Sequence, residues 1–222
     1  MMRPVLIIAA RMNSSRLPGK PLRQFAGRPL LDWLLARLPQ MPTVLATSDR
    51  EIDNPLAAFA VARGIGNFRG SLDDVAGRML AAADAENATH FFRINGDSPC
   101  VEPSLIHAAL REDPTLDLVT NLHPRTWPYG VACERVRVEA FRAALSRTND
   151  PRHREHVTLC LYENLDSLRW KNLPLAGEPL DHMRLTVDTE DDARNFEALL
   201  RRVGDDWPRL TTAQLATAIS IS

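Results

Sequence analysis

The sequence predicts an α/β protein built on a central, mostly parallel sheet, and three features carry that prediction. An uninterrupted apolar run, Val5 to Ala10, reads as a strand buried on both faces of a parallel sheet. Strand-like and helix-like segments alternate after it, the pattern of a sheet with helices on both faces. With 222 residues and 45% hydrophobic content the chain can bury one sizeable core, so residues 1–222 are expected to form a single domain.

Behind the first strand comes a polar loop, Arg11 to Pro21. Leu30, Leu31, Leu34, Leu35 and Leu38 then recur at helical spacing behind Pro29, a residue suited to a first helical turn. Val44 to Thr47 reads as a second strand, and Pro55 to Arg63, with Leu56, Phe59 and Ala60, as a helix closed by Gly64. Leu72 to Ala85 is predicted helical, His90 to Ile94 a strand, Pro103 to Arg111 a helix and Leu116 to Thr120 a strand. From 123 to about 175 the pattern changes, with Trp127, Pro128, Gly130 and helical stretches at Ala140 to Leu145 and Arg154 to Tyr162. This segment is expected to elaborate the core as a lid or dimer arm. Arg184 to Val187 returns as a strand, and Asp191 to Arg202 as a helix. The glycines between Gly64 and Gly70 are expected to form turns, because the last comes one residue late for a dinucleotide fingerprint and no buried strand precedes them.

Charge and cysteine usage exclude several classes. Lys and Arg total 27 against 28 Asp and Glu, so no long-range field draws the protein to nucleic acid or an anionic membrane. Cys100, Cys133 and Cys160 are too widely spaced for a CxxC motif and odd in number for a disulfide framework, which fits a reducing cytoplasm. The first apolar run is too short to span a membrane, and Arg11 interrupts it before a secretory segment is complete. His153, His156 and Cys160 fall three and four residues apart and on one helix face could ligate zinc, but no fourth ligand is signalled, and a polar face with a semi-buried thiol accounts for them. The four tryptophans are scattered without basic stripes and are assigned to packing.

Chemistry concentrates at the carboxyl ends of the predicted strands, where open α/β sheets bind ligands. The loop Arg11 to Lys20 places Arg11, Arg16, Lys20, Ser14 and Ser15 within ten residues, with Pro18 stiffening the turn and Gly19 letting backbone approach an anion. Triphosphate binding and a solvated basic connection are the two readings. A Walker A loop is excluded, since Ser14 stands where Gly is needed and Pro21 where Ser or Thr must follow the lysine. Asp97, framed by Gly96 and Pro99, lies just past one strand, and Asp188 just past another. Mg²⁺ is often held by one or two carboxylates together with substrate phosphates, and these two acids can form such a pair. For Asp188 a helix-capping role competes with the metal role, whereas Thr189 and Asp192 read as a cap alone.

Taken together these motifs resemble the cytidylyltransferases that activate 3-deoxy-octulosonate and nonulosonic acids, and most closely the branch of spore coat polysaccharide biosynthesis proteins. The resemblance rests on AARMNSSRLPGKPL at 9–22, ATS at 46–48, FRGSLDDVAGR at 68–78, RINGDSP at 93–99, REHVT at 154–158 and LTVDTEDD at 185–192. It implies a three-layer, Rossmann-like nucleotidyltransferase fold of the GT-A-like kind and a homodimer. It also implies Mg²⁺-dependent transfer of CMP from CTP to a sugar or sugar-acid hydroxyl, with release of pyrophosphate. Arg11, Arg16 and Lys20 match the family's phosphate-binding cations and Asp97 and Asp188 its metal-binding acids, while Ala10 and Ser15 belong to the same nucleotide loop. The resemblance also implies that Ser71 and Arg78 fall in the segment that in such enzymes lies near the cytosine.

Two departures bear on the acceptor. Ala9 replaces the Gln or Pro common in the family, and Tyr129 and Ala132 replace the acids of a PDGLDVE stretch that here reads PYGVACE. Arg125, Glu134, Arg154, Glu155 and His156 are the acceptor-site candidates that remain, each also able to serve in an ordinary ion pair. Competing functions are glycosyl transfer from a nucleotide sugar, whose diphosphate needs fewer cations than this loop offers, and a nucleotide-binding module without activity.

Overall fold

The computed structural model describes residues 1–220. Its strands and helices follow in the order β1 (Pro4–Ala9), β2 (Gln24–Phe25), β3 (Arg28–Pro29), α1 (Leu30–Leu35), β4 (Thr43–Ser48), α2 (Asn54–Ala62), β5 (Gly66–Gly70), α3 (Val75–Ala85), β6 (His90–Asn95), α4 (Pro103–Arg111), β7 (Leu118–Thr120), β8 (Glu134–Arg137), α5 (Val138–Ser146), α6 (Arg152–Glu155), α7 (Leu159–Tyr162), β9 (Trp170–Asn172), α8 (Glu190–Val203) and α9 (Thr212–Ser220). Seven strands make the central sheet in the order β5-β4-β1-β6-β8-β7-β9, while β2 and β3 form a separate antiparallel pair. All pairings in the large sheet are parallel except the two made by β8.

The apolar run works as expected because both faces of β1 are covered. Val5 and Ile7 join one core, packed with Ala76, Met79 and Ala83 of α3 and Phe141 of α5. Leu6 and Ile8 point the other way, into a core shared with Leu31 of α1, Phe59 of α2, Ile106 of α4 and Phe196 of α8. Period-two alternation thus places one three-layer stack around a single strand. No described helix is long and apolar enough to cross a membrane.

The structure differs from the sequence reading in four places. Gly66–Gly70, expected as turns, is the parallel edge strand β5. Gly66 belongs there because a Cβ would stand 2.9 Å from a Val44 methyl. The 123–175 segment, expected to elaborate the core, supplies two of the seven strands, β8 and β9. The helix expected over Arg154 to Tyr162 is broken into α6 and α7, which turns Thr158 inward, where its hydroxyl accepts a hydrogen bond from Arg93 at 3.2 Å. That break also separates His153 and His156 from Cys160. Both His153 nitrogens are engaged, with Thr148 and Glu163, and no metal-binding group of three or more His, Cys, Asp or Glu occurs among the described residues.

The fourth difference bears on the site. Arg184 to Val187, expected as a strand, is an extended segment outside the sheet. Its backbone pairs with two loops: Tyr129 N–H donates to Met183 O at 2.8 Å, Leu185 N–H to Tyr129 O at 2.7 Å, and Val187 N–H to Asp97 O at 2.9 Å.

Candidate active site

Three segments converge at the carboxyl rim of the sheet, and local chemistry explains each. Ala9 of β1 pairs with Asn95 of β6, so the two strands end level and the loops after them start side by side. Gly96 permits the close approach: a Cβ there would lie 2.8 Å from the Ala10 Cβ and 3.0 Å from the Ala9 carbonyl oxygen.

The cationic loop is held by its own backbone and by one buried acid. Met12 N–H donates to Asp53 Oδ1 at 2.7 Å, and the Met12 carbonyl accepts from Ser14 N–H and Gly19 N–H at 3.0 and 2.8 Å. Leu17 is buried beneath the loop, and Gly19, at φ +71°, turns the chain into the 3₁₀ turn that begins at Lys20. Nothing in the sequence signals Asp53, which stands 41 residues away from its partner. A hydrogen bond to a charged acceptor contributes about 1.5–3 kcal/mol. Asp53→Ala is therefore expected to weaken binding of a nucleoside triphosphate about tenfold by calorimetric titration while the sheet stays folded.

Lys20 joins this loop to the two acids. Its Nζ donates to Asp97 Oδ2 at 2.7 Å and to Asp188 Oδ1 at 2.6 Å. The acids themselves are brought together by the Val187 to Asp97 backbone bond. The other Asp188 oxygen, Oδ2, meets Arg184 Nη2 at 2.5 Å and Arg16 Nη2 at 3.3 Å. Burial pushes the Asp188 carboxyl pKa up, but the hydrogen bond and charge of Lys20, with Arg16 and Arg184, outweigh it and hold the group below the usual carboxylate value.

The cap and cleft roles weighed for Asp188 do not compete. Thr189 and Asp192 form the capping box of α8, and only the Asp188 N–H takes part, donating to Asp192 Oδ2 at 3.0 Å. The Asp188 carboxylate is left to face the cleft. One Lys20 nitrogen lies within hydrogen-bond reach of both acids, so the two carboxylates converge on a single cation-sized point. Two such oxygen donors, completed by substrate phosphates, form a donor set that Mg²⁺ accepts.

The cleft over this point has a volume of about 450 Å³. Five cations line it, Arg11, Arg16, Lys20, Arg78 and Arg93, against three acids, Asp97, Glu155 and Asp188, a local positive surplus in a chain of net charge −1. Ala10, Ser15 and His156 line it as well. Arg78 is buried and donates to the Ser71 carbonyl at 2.5 Å, while Ser71 itself caps the turn before α3 and does not line the cleft. Burial lowers the Arg78 pKa, Asp53 opposes this and nearby Arg11 adds to it, which places Arg11 and Arg78 in one electrostatic neighbourhood.

Three of the five acceptor-site candidates lie outside the cleft lining. Arg154 pairs with Asp74 at 3.5 Å, and Arg125 stacks its guanidinium over the Tyr129 ring at 5.3 Å. Glu134, at 0% exposure, is inaccessible to any acceptor. It sits at the start of β8 opposite Arg93, bonds Arg93 Nη1 at 2.8 Å, and accepts from the Tyr162 hydroxyl at 2.9 Å. Glu134 therefore acts on the cleft only through Arg93, a residue missed in the sequence although it opens the RINGDSP stretch. Removing one member of a buried ion pair leaves the other uncompensated, at a cost on the order of 3 kcal/mol. Glu134→Ala should lower the urea midpoint accordingly.

Tyr129 completes the wall, and Arg184, outside the lining, supports it. Tyr129 is 46% exposed, and the Arg184 guanidinium covers its ring at 4.5 Å. Arg184 precedes Asp188 by four residues. That spacing carried no signal because the segment is extended, with neither helix nor sheet periodicity.

Similarity to known proteins agrees with this geometry. The sequence profile of the cytidylyltransferase family matches residues 5–208. Spore coat polysaccharide biosynthesis protein SpsF of Bacillus subtilis is 31% identical over 229 aligned residues, which span 97% of this chain and 93% of that protein. The 3-deoxy-manno-octulosonate cytidylyltransferase of Escherichia coli is 27% identical, across 94% of this chain and 93% of its own. Among solved structures, a cytidylyltransferase from Leptospira borgpetersenii serovar Hardjo-bovis superposes with a TM-score of 0.91 at 26% identity, covering 100% of this chain and 95% of that one. The three-layer, Rossmann-like nucleotidyltransferase fold is the one expected from the motifs.

Proposed function

Because the chain belongs to the cytidylyltransferase family, we propose that it transfers CMP from CTP to a hydroxyl of a sugar or sugar acid, with Mg²⁺ as cofactor and pyrophosphate as the second product. The observation that carries this reading is the contact of Lys20 with both Asp97 and Asp188 in a cleft that also holds Arg11 and Arg16.

In this reading the cations of the 11–20 loop lie along the triphosphate. Arg11, Arg16 and Lys20 neutralise the phosphate charge and stabilise the pyrophosphate as it departs, which is the main demand of phosphoryl and nucleotidyl transfer. Asp97 and Asp188 would hold Mg²⁺, which when bound would supply Lewis-acid polarisation of the phosphate oxygens. The acceptor oxygen gives up its hydroxyl proton to solvent and forms the new bond to the α-phosphorus as the bond from that phosphorus to the departing pyrophosphate oxygen breaks on the opposite side, so no covalent enzyme intermediate is needed. Glu155, His156 and Tyr129, on the remaining wall, are available to contact the acceptor. Buried Arg78, tied to the Ser71 carbonyl, supports placing the base beside α3.

The reading is tested by pyrophosphate release from CTP, UTP, ATP or GTP with Mg²⁺ and a panel of sugar acids and aldoses, 3-deoxy-manno-octulosonate among them. Release with CTP in preference to the other nucleotides is the expected result. CTP binding without release for any acceptor would identify a nucleotide-binding module instead.

A further inference from the structure

Lys20 occupies the point on which Asp97 and Asp188 converge, with its side chain only 12% exposed. Arg16 and Arg184 also pair with Asp188, so the two negative charges of this cluster are matched by three positive ones. A free divalent ion approaching this point meets a site already compensated in charge. It would have to displace a largely buried ammonium whose ion pairs, among the described residues, are with these two acids, and an uncompensated buried charge is strongly unfavourable. A triphosphate supplies the missing anionic oxygens.

The choice of residue points the same way. Of the 27 basic side chains, 25 are Arg and only Lys20 and Lys171 are Lys. An ammonium on a flexible four-carbon stem can move from one oxygen cluster to another, whereas a guanidinium makes a fixed planar fork.

From these observations, and resting on the metal–nucleotide reading above, we infer that Lys20 competes with the free divalent cation for Asp97 and Asp188. The acids accept the metal only together with the triphosphate, which takes over Lys20 and Arg16. Lys20 is then a gating residue for metal entry as well as a phosphate ligand.

The test measures Mn²⁺ binding to the full chain by electron paramagnetic resonance, without nucleotide and with a non-hydrolysable α,β-methylene analogue of CTP. Wild-type protein is expected to bind free Mn²⁺ weakly and to tighten at least about tenfold with the analogue. Lys20→Met, of similar length and uncharged, is expected to bind free Mn²⁺ at least about tenfold more tightly than wild type. Adding Asp97→Asn to that variant should abolish the gain, which locates the metal. Lys20→Gln provides a second uncharged side chain should Lys20→Met misfold by circular dichroism. Equal free Mn²⁺ affinity in wild type and in both uncharged variants overturns the inference and leaves the proposed function standing. Failure of the analogue to bind wild type overturns the nucleotide reading itself, and the inference with it.

Discussion

Lys20→Ala is expected to lower kcat/KM for CMP transfer by about a thousandfold, the upper end of what removing one preorganised charge-stabilising donor costs. The size of the effect follows from position. Lys20 is the only cation hydrogen-bonded to both Asp97 and Asp188 among the described residues, and it is fed into the cleft by Gly19 and the Met12 carbonyl rather than by flexible surface chain. Stability should change far less, within about 1–2 kcal/mol, because the cleft is open to water and Arg16 and Arg184 remain on Asp188. Lys20→Arg should not restore activity, since its planar fork cannot sit between two acids that a compact ammonium bridges at 2.7 and 2.6 Å. Steady-state kinetics paired with thermal melts check this. Parallel loss of activity and stability would assign Lys20 a structural role.

How far the sequence revealed the molecule depended on whether a signal was local. β1, β6 and α4 were legible because each is a short segment whose pattern is set by burial on one or two faces, and α4 matches its expected bounds, Pro103 to Arg111. β8 was not legible, although it lies inside the sheet. It reads Glu-Arg-Val-Arg, a sequence that looks solvated until its partners are known: Glu134 meets Arg93, Arg135 donates to the carbonyls of Ala109, Glu112 and Asp113, and Arg137 pairs with Asp117. Each of these contacts spans 20 residues or more, so no window around β8 contains them.

The same division holds for the site. Lys20, Asp97 and Asp188 were legible as a loop and two strand-end acids, and the structure brings them together. Arg93, Arg184 and Asp53 were not, because what makes each matter is a partner elsewhere: buried Glu134, the Tyr129 ring, the Met12 amide. The extended 184–187 segment shows why even a correct guess of extended backbone fell short. Its hydrogen bonds run to Tyr129 and to Asp97, so it joins two functional loops and adds nothing to the sheet.

Gly130→Ala is therefore expected to damage stability and activity together, in contrast to Lys20→Ala. Gly130 has φ +100°, and a Cβ would lie 2.8 Å from the Thr186 methyl and 2.9 Å from the backbone of Leu185 and Thr186. The contacted atoms are mostly backbone and cannot rotate away, so the 183–187 segment must move. Strained backbone at a non-glycine residue costs on the order of 1–3 kcal/mol and overpacking a similar amount, for a combined loss of roughly 2–6 kcal/mol. Moving that segment strains the Tyr129 and Asp97 backbone bonds and carries Asp188 and Arg184 away from Lys20. A misplacement of about 1 Å in a positioning element can cost about a hundredfold in rate, so residual folded Gly130→Ala protein should show at least that loss. Chemical denaturation and assays on the folded fraction separate the two effects. Full specific activity in a destabilised variant would mean that Asp188 keeps its place without the Tyr129 to Leu185 clamp.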